Sequence, residues 1–495
     1  MEMDFSLDGP DPRGGVARLA SLTISGKTIP TPALVLETQI GTPPYLTRDL
    51  LEEISPPFIL VDFGDMFAWG DLTEDNANQQ LTLKQKACLP AGPVTIMAQR
   101  GQMNLATFGS LGAKAVHLQT PIGRKTVSPE LYAAHAKALK PDIVVALHDE
   151  IPFSKGRNRQ KKATEVSKHW LETLKSGDNQ GSIATWGAAL ASENKDLQKI
   201  GSEALRETQC SGAVLSGFGL EGCTKGGLDL SIVAEMVSQM PVGIPRMIHG
   251  NWAPVEILQF MELGIDLVGT GFGFTCSENG RALVIPTNLA GLINHRDTFF
   301  FDKQELQEIG LENQELNTEQ KGNLDGIPNP ERKNGDNGSQ ESKSQNQTKN
   351  KKRKKNADTK IFEQYEAAGL IVNIWDSSFQ SDKNPLLEGC TCPACRDHTK
   401  SYVHHLLIAH EILAQVLLYL HNIHQLLGLF DGVRAMLRGC RGGSSVNDER
   451  EEEGDALKQG NDSSGGGNLN NNQQQPLSDF AAYKAMLLDM VTRKI

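Results

Sequence analysis

Residues 243–274 read GIPRMIHGNWAPVEILQFMELGIDLVGTGFGF, and three patterns follow one another in them. PRMIHG is a short apolar run of β type. APVEILQFMEL then repeats its apolar residues at three- and four-residue spacing, as an amphipathic helix does. IDLVGTGFG is a second β-type run. Two strands joined by a helix pair in parallel, because the crossover carries the chain back to the same end of the sheet.

The alternation extends outward from about Ser21 to Ile293. Upstream, the runs PFILVDF, PVTIMAQ, AKAVHL, DIVVALHDE, GSIATWGA and GAVLSGFG are interspersed with helical windows such as SPELYAAHAKAL and LSIVAEMVSQM. The runs are apolar almost throughout, as strands buried on both faces must be. The number of units predicts an α/β fold of TIM type, a (β/α)8 barrel, over an open sheet. In such a barrel the functional side chains sit just past the strand ends, at places like Asp149, Gly217 and Gly269.

A chain of 495 residues has room for one large core and accessory pieces. Its formal net charge of -11 argues against indiscriminate grip on nucleic acid, which depends on clustered Lys and Arg. Eight cysteines are too few for a disulfide scaffold, and three of them crowd into one loop, which points to a metal in a reducing compartment. The opening MEMDFSLDGPDPRGG has neither a basic start nor an apolar core, so no secretory signal is expected. The greasiest stretch, LLIAHEILAQVLLYLHNIH, carries His410, Glu411 and His421 and falls short of a membrane span.

Two tracts lack the apolar residues that a packed core needs to offset chain entropy. One, from about Leu311 to Lys360, contains KNKKRKK, a run that reads as a solvated linker, with a nuclear signal or an RNA contact as the alternatives. The other begins RGGSSVNDEREEEG and ends NLNNNQQQ. An amphipathic helix follows it.

Between the tracts lies GCTCPACRDHTKSYVHHLLIAHEILAQVLLYLHN. Cys390, Cys392 and Cys395 form a C-x-C-x2-C loop that Pro393 and its small neighbours let curl, so three sulfurs can converge on one point. Zinc takes a fourth ligand, commonly a His nitrogen, to close a tetrahedron, and a closed Cys3His site is structural. His398, His404, His405, His410, His421 and His424 are the candidates. The chain then divides into a barrel over 1–310 and 361–378, a disordered low-complexity linker over 311–360, and a helical zinc-binding subdomain over 379–440, inserted in or appended to the barrel. A disordered insertion over 441–477 and a C-terminal helix over 478–495 complete it.

This loop resembles the zinc region of the tRNA-guanine transglycosylases, whose C-x-C-x2-C is followed by a Tyr-x-His-His-Leu segment and later a His-Asn pair. Those features fall here on Tyr402, His404, His405 and Leu406, and on His421 with Asn422. The resemblance implies that His421 is the fourth zinc ligand, with His424 in reserve one turn along. An unbroken helix from Ser401 to His421 would be about 30 Å long and hold His421 far from the loop. The chain must therefore reverse, near Ile408 to Glu411.

The barrel resembles the same family. GRKTVSPELYAAHAKALKPDIVVALHDE, SGAVLSGFGLEG and GIPRMIHGNWAPVEILQFMELGIDLVGTGFGF are similar to its Asp-Glu strand end, its glycine-rich strand and its catalytic strand. Active members exchange a tRNA guanine through a covalent intermediate, one aspartate attacking the ribose and a second handling the proton. The nucleophile follows a Gly-Ile-Asp triplet by three residues; here the triplet is Gly264, Ile265 and Asp266, and the matching position is Gly269. The second carboxylate belongs to an Asp-Ser-Gly-Gly-Phe-Gln motif, and VTIMAQRGQMNLATFG holds no carboxylate at the comparable place. A base-contacting glutamine matches Thr185.

What remains is Asp149, at the base-recognising aspartate, and Gly217. Asp149 reads equally as a cap or a strand-end charge, and Gly217 and Gly219 as tight-packing glycines, so the pocket is expected to be vestigial. The family's eukaryotic enzyme, which inserts queuine at the wobble position, pairs a catalytic with an inactive subunit. The resemblance thus implies a non-catalytic, cytoplasmic chain, or one peripheral to the mitochondrial outer membrane. It would bind the catalytic queuine tRNA-ribosyltransferase subunit, carry one structural Zn2+, and help hold tRNA. The rivals are an active enzyme with a displaced nucleophile such as Glu278 or Glu221, and a self-contained zinc module that binds RNA or protein.

Overall fold

The computed structural model describes residues 3–8, 17–69, 81–101, 107–110, 114–151, 155–177, 183–218, 229–288, 290–296, 360–438 and 475–492. Lys360 apart, the expected linker lies outside these residues, as do most of the second tract, Gly219 and Glu221.

Eight parallel strands close into a barrel: β4 (Ala33–Glu37), β5 (Phe58–Asp62), β6 (Val94–Ala98), β10 (Ile143–Val145), β11 (Ala184–Leu190), β12 (Gly212–Ser216), β13 (Arg246–Gly250) and β14 (Leu267–Thr270). β14 returns to pair with β4, Gly269 lying beside Val35. The crossovers carry helices α1 (Arg48–Ile54), α2 (Pro129–Leu139), α3 (Arg157–Gly177), α4 (Lys195–Glu207), α5 (Leu230–Gln239) and α6 (Pro254–Glu262). Local chemistry starts several of them. Ser128 accepts from the Leu131 N–H ahead of Pro129, and Asn194 accepts from the Asp196 and Leu197 N–H groups.

The barrel is the expected (β/α)8 form, with one strand differently placed. AKAVHL forms part of β8 (Val116–Thr120), which pairs antiparallel with β7 (Thr107–Ser110) and β9 (Gly123–Val127) in a small sheet between β6 and β10. Its residues alternate buried and half-buried, the signature of a sheet with one wet face. The barrel strand missing from the runs is β4, ALVLE, buried at every position.

Two apolar layers result. Ala33, Val35, Phe58, Leu60, Val94 and Ile96 fill the barrel, together with Trp186, Met247 and Leu267. Leu22, Ile24 and Ile29, from the antiparallel sheet of β1 (Met3–Leu7), β2 (Ala20–Ile24) and β3 (Lys27–Thr31), join that cluster and close the end where the strands begin. The alternate residues Leu34, Leu36, Ile59 and Val61 face the helices. By the same period of two, the inward positions at the open end are Glu37, Asp62, Ser216, His249 and Gly269.

After β14 the chain forms α7 (Phe272–Glu278) and β15 (Arg281–Leu283). β15 pairs antiparallel with β16 (Ile371–Asn373), so the chain on either side of the first tract is stitched together. Helices α8 (Pro393–Asp397), α9 (Lys400–Ile408), α10 (Leu413–Arg438) and α11 (Gln475–Thr492) follow. Between α9 and α10 the chain reverses over 409–412, with His410 at a φ of 56°. This is the two-helix arrangement that bringing His421 back to the cysteines requires.

Candidate metal centre and barrel mouth

The cysteine loop is shaped by its own caps. Cys392 ends an extended segment, Pro393 opens α8, and the Cys395 N–H points at the Cys392 sulfur 3.4 Å away. Helix α10 delivers His421 into the same space. Its Nδ1 lies 3.7, 3.5 and 3.3 Å from the sulfurs of Cys390, Cys392 and Cys395. All four ligand atoms fall within 4.8 Å of one another, so the group can hold a metal ion.

The donor set fits zinc. A tetrahedron with Zn–S of about 2.3 Å and Zn–N of about 2.0 Å has S···N edges of about 3.5 Å. The imidazole is already in the tautomer a ligand needs. Nε2 donates to the Leu283 carbonyl at 2.8 Å; a carbonyl can only accept, so the proton sits there and Nδ1 offers its lone pair. Hydrogen bonds from Cys392 and Cys395 pull the Cys390 thiol far down, toward the thiolate that a zinc ligand must be.

The neighbours on α10 bind the centre to the barrel. Asn422 accepts from the Leu283 N–H at 2.8 Å and donates to Gly273 O, Ser277 Oγ and Arg281 O. Gln425 accepts from the Ile285 N–H and donates toward Cys390. One helix face thus saturates the edge of β15 while presenting His421 to the sulfurs. The other histidines have different tasks. His424 reaches Cys390 at 3.6 Å and Thr391 at 3.4 Å, His404 bonds the Ile374 carbonyl, and His398 stacks on Tyr402.

At the barrel mouth, the matched positions hold different chemistry. A Cβ built on Gly269 would lie 2.8 Å from the His249 Cβ and 3.2 Å from Glu37 Oε1. The place of the family's nucleophile is therefore occupied by neighbours as well as lacking a side chain. Glu37 is 1% exposed, and burial holds His249 down at about 4, so their 3.9 Å approach involves a neutral imidazole near pH 7. Asp266 sits at the closed end of β14, where its carboxylate takes two bonds from Arg18 and one from the Arg246 N–H. Glu278 is exposed at the end of α7 and accepts from the Tyr45 hydroxyl.

Arg100, in the stretch matched to the second carboxylate, is buried against Glu150 at 2.5 Å. Burial alone would raise Glu150, but Arg100 outweighs it and holds the carboxyl at about 2. Glu150 also accepts from the Gly217 N–H at 3.0 Å. Gly217 needs its glycine twice over: its φ is 99°, and a Cβ would press on Ala191 and the Ile151 carbonyl at 3.3 Å. Asp149 is a strand-end charge, gripped by both terminal nitrogens of Arg159 at 2.6 and 2.9 Å. The match of Thr185 to the base-contacting glutamine is corrected. Thr185 is the second residue of β11 and pairs with Val144 at the closed end, whereas the same strand reaches the mouth near Leu190.

Sequence reasoning missed Glu37 and Asp62. The signal is present, a carboxylate closing each of two apolar runs, but two-sided burial hides which face such a residue takes. Asp62 accepts from the Gly64 and Gly101 N–H groups, and burial together with nearby Asp65 pushes it up to about 8. Its folded-state value lies above the unfolded one, so its contribution is intact below about pH 4 and is lost as pH rises through about 8. Asp65→Asn keeps an acceptor for the Ile40 N–H and removes the like charge. We expect the variant to lose less stability than the parent between about pH 5 and about pH 8, measured by urea unfolding. Identical losses would contradict the coupling.

The comparisons with known proteins fit this geometry. The family model for queuine tRNA-ribosyltransferase matches residues 13–442, and the chain belongs to that family. Similar proteins include the queuine tRNA-ribosyltransferase accessory subunit 2 of Xenopus laevis, 28% identical over 425 residues, which span 83% of this chain and 90% of the relative. The proteins of that name from Schizosaccharomyces pombe and Gallus gallus are 26% and 27% identical, over 85% and 86% of this chain and 78% and 92% of theirs.

Proposed function

We propose that this chain is the non-catalytic subunit of a heterodimeric queuine tRNA-ribosyltransferase, supporting the exchange of guanine for queuine at the tRNA wobble position. The observation that carries the reading is position 269, where glycine offers no nucleophile and His249 and Glu37 fill the space one would need. The relatives' shared name supports it. In this reading the Cys3His group holds one structural Zn2+, whose chemistry is to bind the loop to α10 with no open coordination position, and tRNA is shared with the catalytic partner.

A docking surface is available at the reversal between α9 and α10. Ile408 is 56% exposed and Ile412 66%, with Leu413 and Trp375 also exposed and Trp375 packed near His410. Apolar side chains grouped in this way mark contact surfaces. An Ile408→Asp, Ile412→Asp variant should keep the parent's thermal stability but fail to co-purify with the catalytic subunit. Co-purification at the parent level would count against docking there. A cytoplasmic location belongs to the same proposal; among the described residues no helix is long and apolar enough to cross a membrane.

A second reading, an enzyme with a displaced carboxylate, is favoured among the described residues by Glu37, since its carboxylate faces position 269. Against it stands that carboxylate's burial.

A further inference from the structure

Residues 151–164 read IPFSKGRNRQKKAT, five Lys and Arg with no Asp or Glu, in a chain whose net charge is -11. They open α3, which leaves the barrel at the C-terminal end of β10. Lys155, Arg157 and Arg159 lie where folding disfavours them. The N-terminal turn of a helix carries partial positive charge, and each cation there costs about 0.3–1 kcal/mol. Buried Asp149 offsets one of them by pairing with Arg159, which also fixes the start of the helix against the barrel rim. The remainder face solvent. Lys155, Arg157, Lys161 and Lys162 are all exposed, and Arg157 and Lys161 stand one turn apart on one side of the helix. The Arg157 pair with Asp196 at 3.3 Å joins two exposed side chains, as does the Lys161 pair with Glu165 at 3.8 Å; both are weak and easily exchanged. Among the described residues Lys155 and Lys162 make no ion pair.

A second basic element stands at the same rim. The β8–β9 hairpin leaves the chain after β6, the strand that pairs with β10, and carries Arg124 and Lys125 near its exposed tip. Both cationic elements follow the C-terminal ends of paired barrel strands, β6 and β10.

Resting on the functional reading above, we propose that the start of α3, assisted by the hairpin that follows β6, is the surface by which this subunit grips the tRNA phosphate backbone. Asp149, matched to a base-recognising aspartate in active relatives, serves here as the anchor of that grip through Arg159. The contacts are to phosphate and therefore independent of base sequence, and their strength comes from counterion release.

The test is a variant with Lys155→Gln, Arg157→Gln, Lys161→Gln and Lys162→Gln, assembled with the catalytic subunit. Its melting temperature should equal or slightly exceed the parent's, and gel filtration should give the same heterodimer. Binding to tRNA should weaken roughly ten- to hundred-fold, and the slope of log K against log salt should flatten by about 0.7–0.9 for each phosphate that is no longer neutralised. For base exchange, KM for tRNA should rise while kcat holds. The same binding comparison on the isolated chain, by filter retention of tRNA, tests the surface whether or not the catalytic subunit joins, so its failure is distinguishable from failure of the subunit reading. Unchanged tRNA affinity and salt slope would overturn the proposal. So would a variant that keeps tRNA binding but loses binding to vesicles of anionic phospholipid, which would assign the surface to a membrane.

Discussion

Gly269→Asp is expected to leave the isolated chain without base exchange and to lower its stability by about 4 kcal/mol or more. Two effects add. The new Cβ would meet the His249 Cβ at 2.8 Å, an atom fixed by its own strand, and overpacking of this kind costs about 1–3 kcal/mol. The new carboxylate would then lie beside buried Glu37, and an uncompensated buried charge costs about 3–5 kcal/mol. Gly269→Ala carries only the first effect. Urea unfolding of parent, alanine and aspartate variants should therefore give a graded series, with Glu37→Gln partly rescuing the aspartate. An aspartate variant as stable as the parent, or one that gains exchange activity, would mean that the mouth has kept room for the nucleophile.

The second large effect is expected at the metal centre. On the proposed reading, His421→Ala should abolish zinc binding, one ion per chain by metal analysis in the parent, and lower stability by about 4 kcal/mol or more, a melting-temperature shift of about 5 °C or more. Chelation of the parent should reproduce that shift. Asn422→Ala separates the metal from the docking of α10. Its amide bonds Leu283, Gly273, Ser277 and Arg281, so its loss should cost about 3–5 kcal/mol while zinc content stays at one. Loss of zinc from Asn422→Ala with no loss from His421→Ala would reverse the roles assigned to the two side chains.

Much of this architecture is legible in the sequence because parallel barrels write their burial directly into it. A strand covered on both faces must be apolar at nearly every position, and α6 between β13 and β14 shows its face by spacing alone. The same rule explains the failures. Once both faces are apolar, period two disappears, and with it the clue that Glu37 and Asp62 point inward. AKAVHL has the composition of a barrel run, yet its last three residues open β8, whose half-buried alternates are His117 and Gln119. Thr185 aligns with the wrong end of its strand because GSIATWGAAL offers small residues throughout and nothing to fix the register.

At the metal centre, the three cysteines declare themselves by local spacing, since backbone proximity alone brings their sulfurs together. The fourth ligand does not declare itself by spacing, because six histidines follow; the resemblance through His421 and Asn422 names it, and the fold brings it to the sulfurs. What distinguishes His421 is a carbonyl 138 residues earlier in the chain, Leu283 O, which sets the tautomer and the ring's direction. No pattern near residue 421 records that partner.

On the proposed reading, this barrel supports the reaction while another performs it. The most direct measurement is incorporation of labelled guanine or queuine into tRNA by the purified chain, by the catalytic subunit, and by the two mixed. Background incorporation by this chain alone and full exchange by the mixture, unaffected by Glu37→Gln, are expected. Steady exchange by the chain alone, abolished by Glu37→Gln, would contradict it.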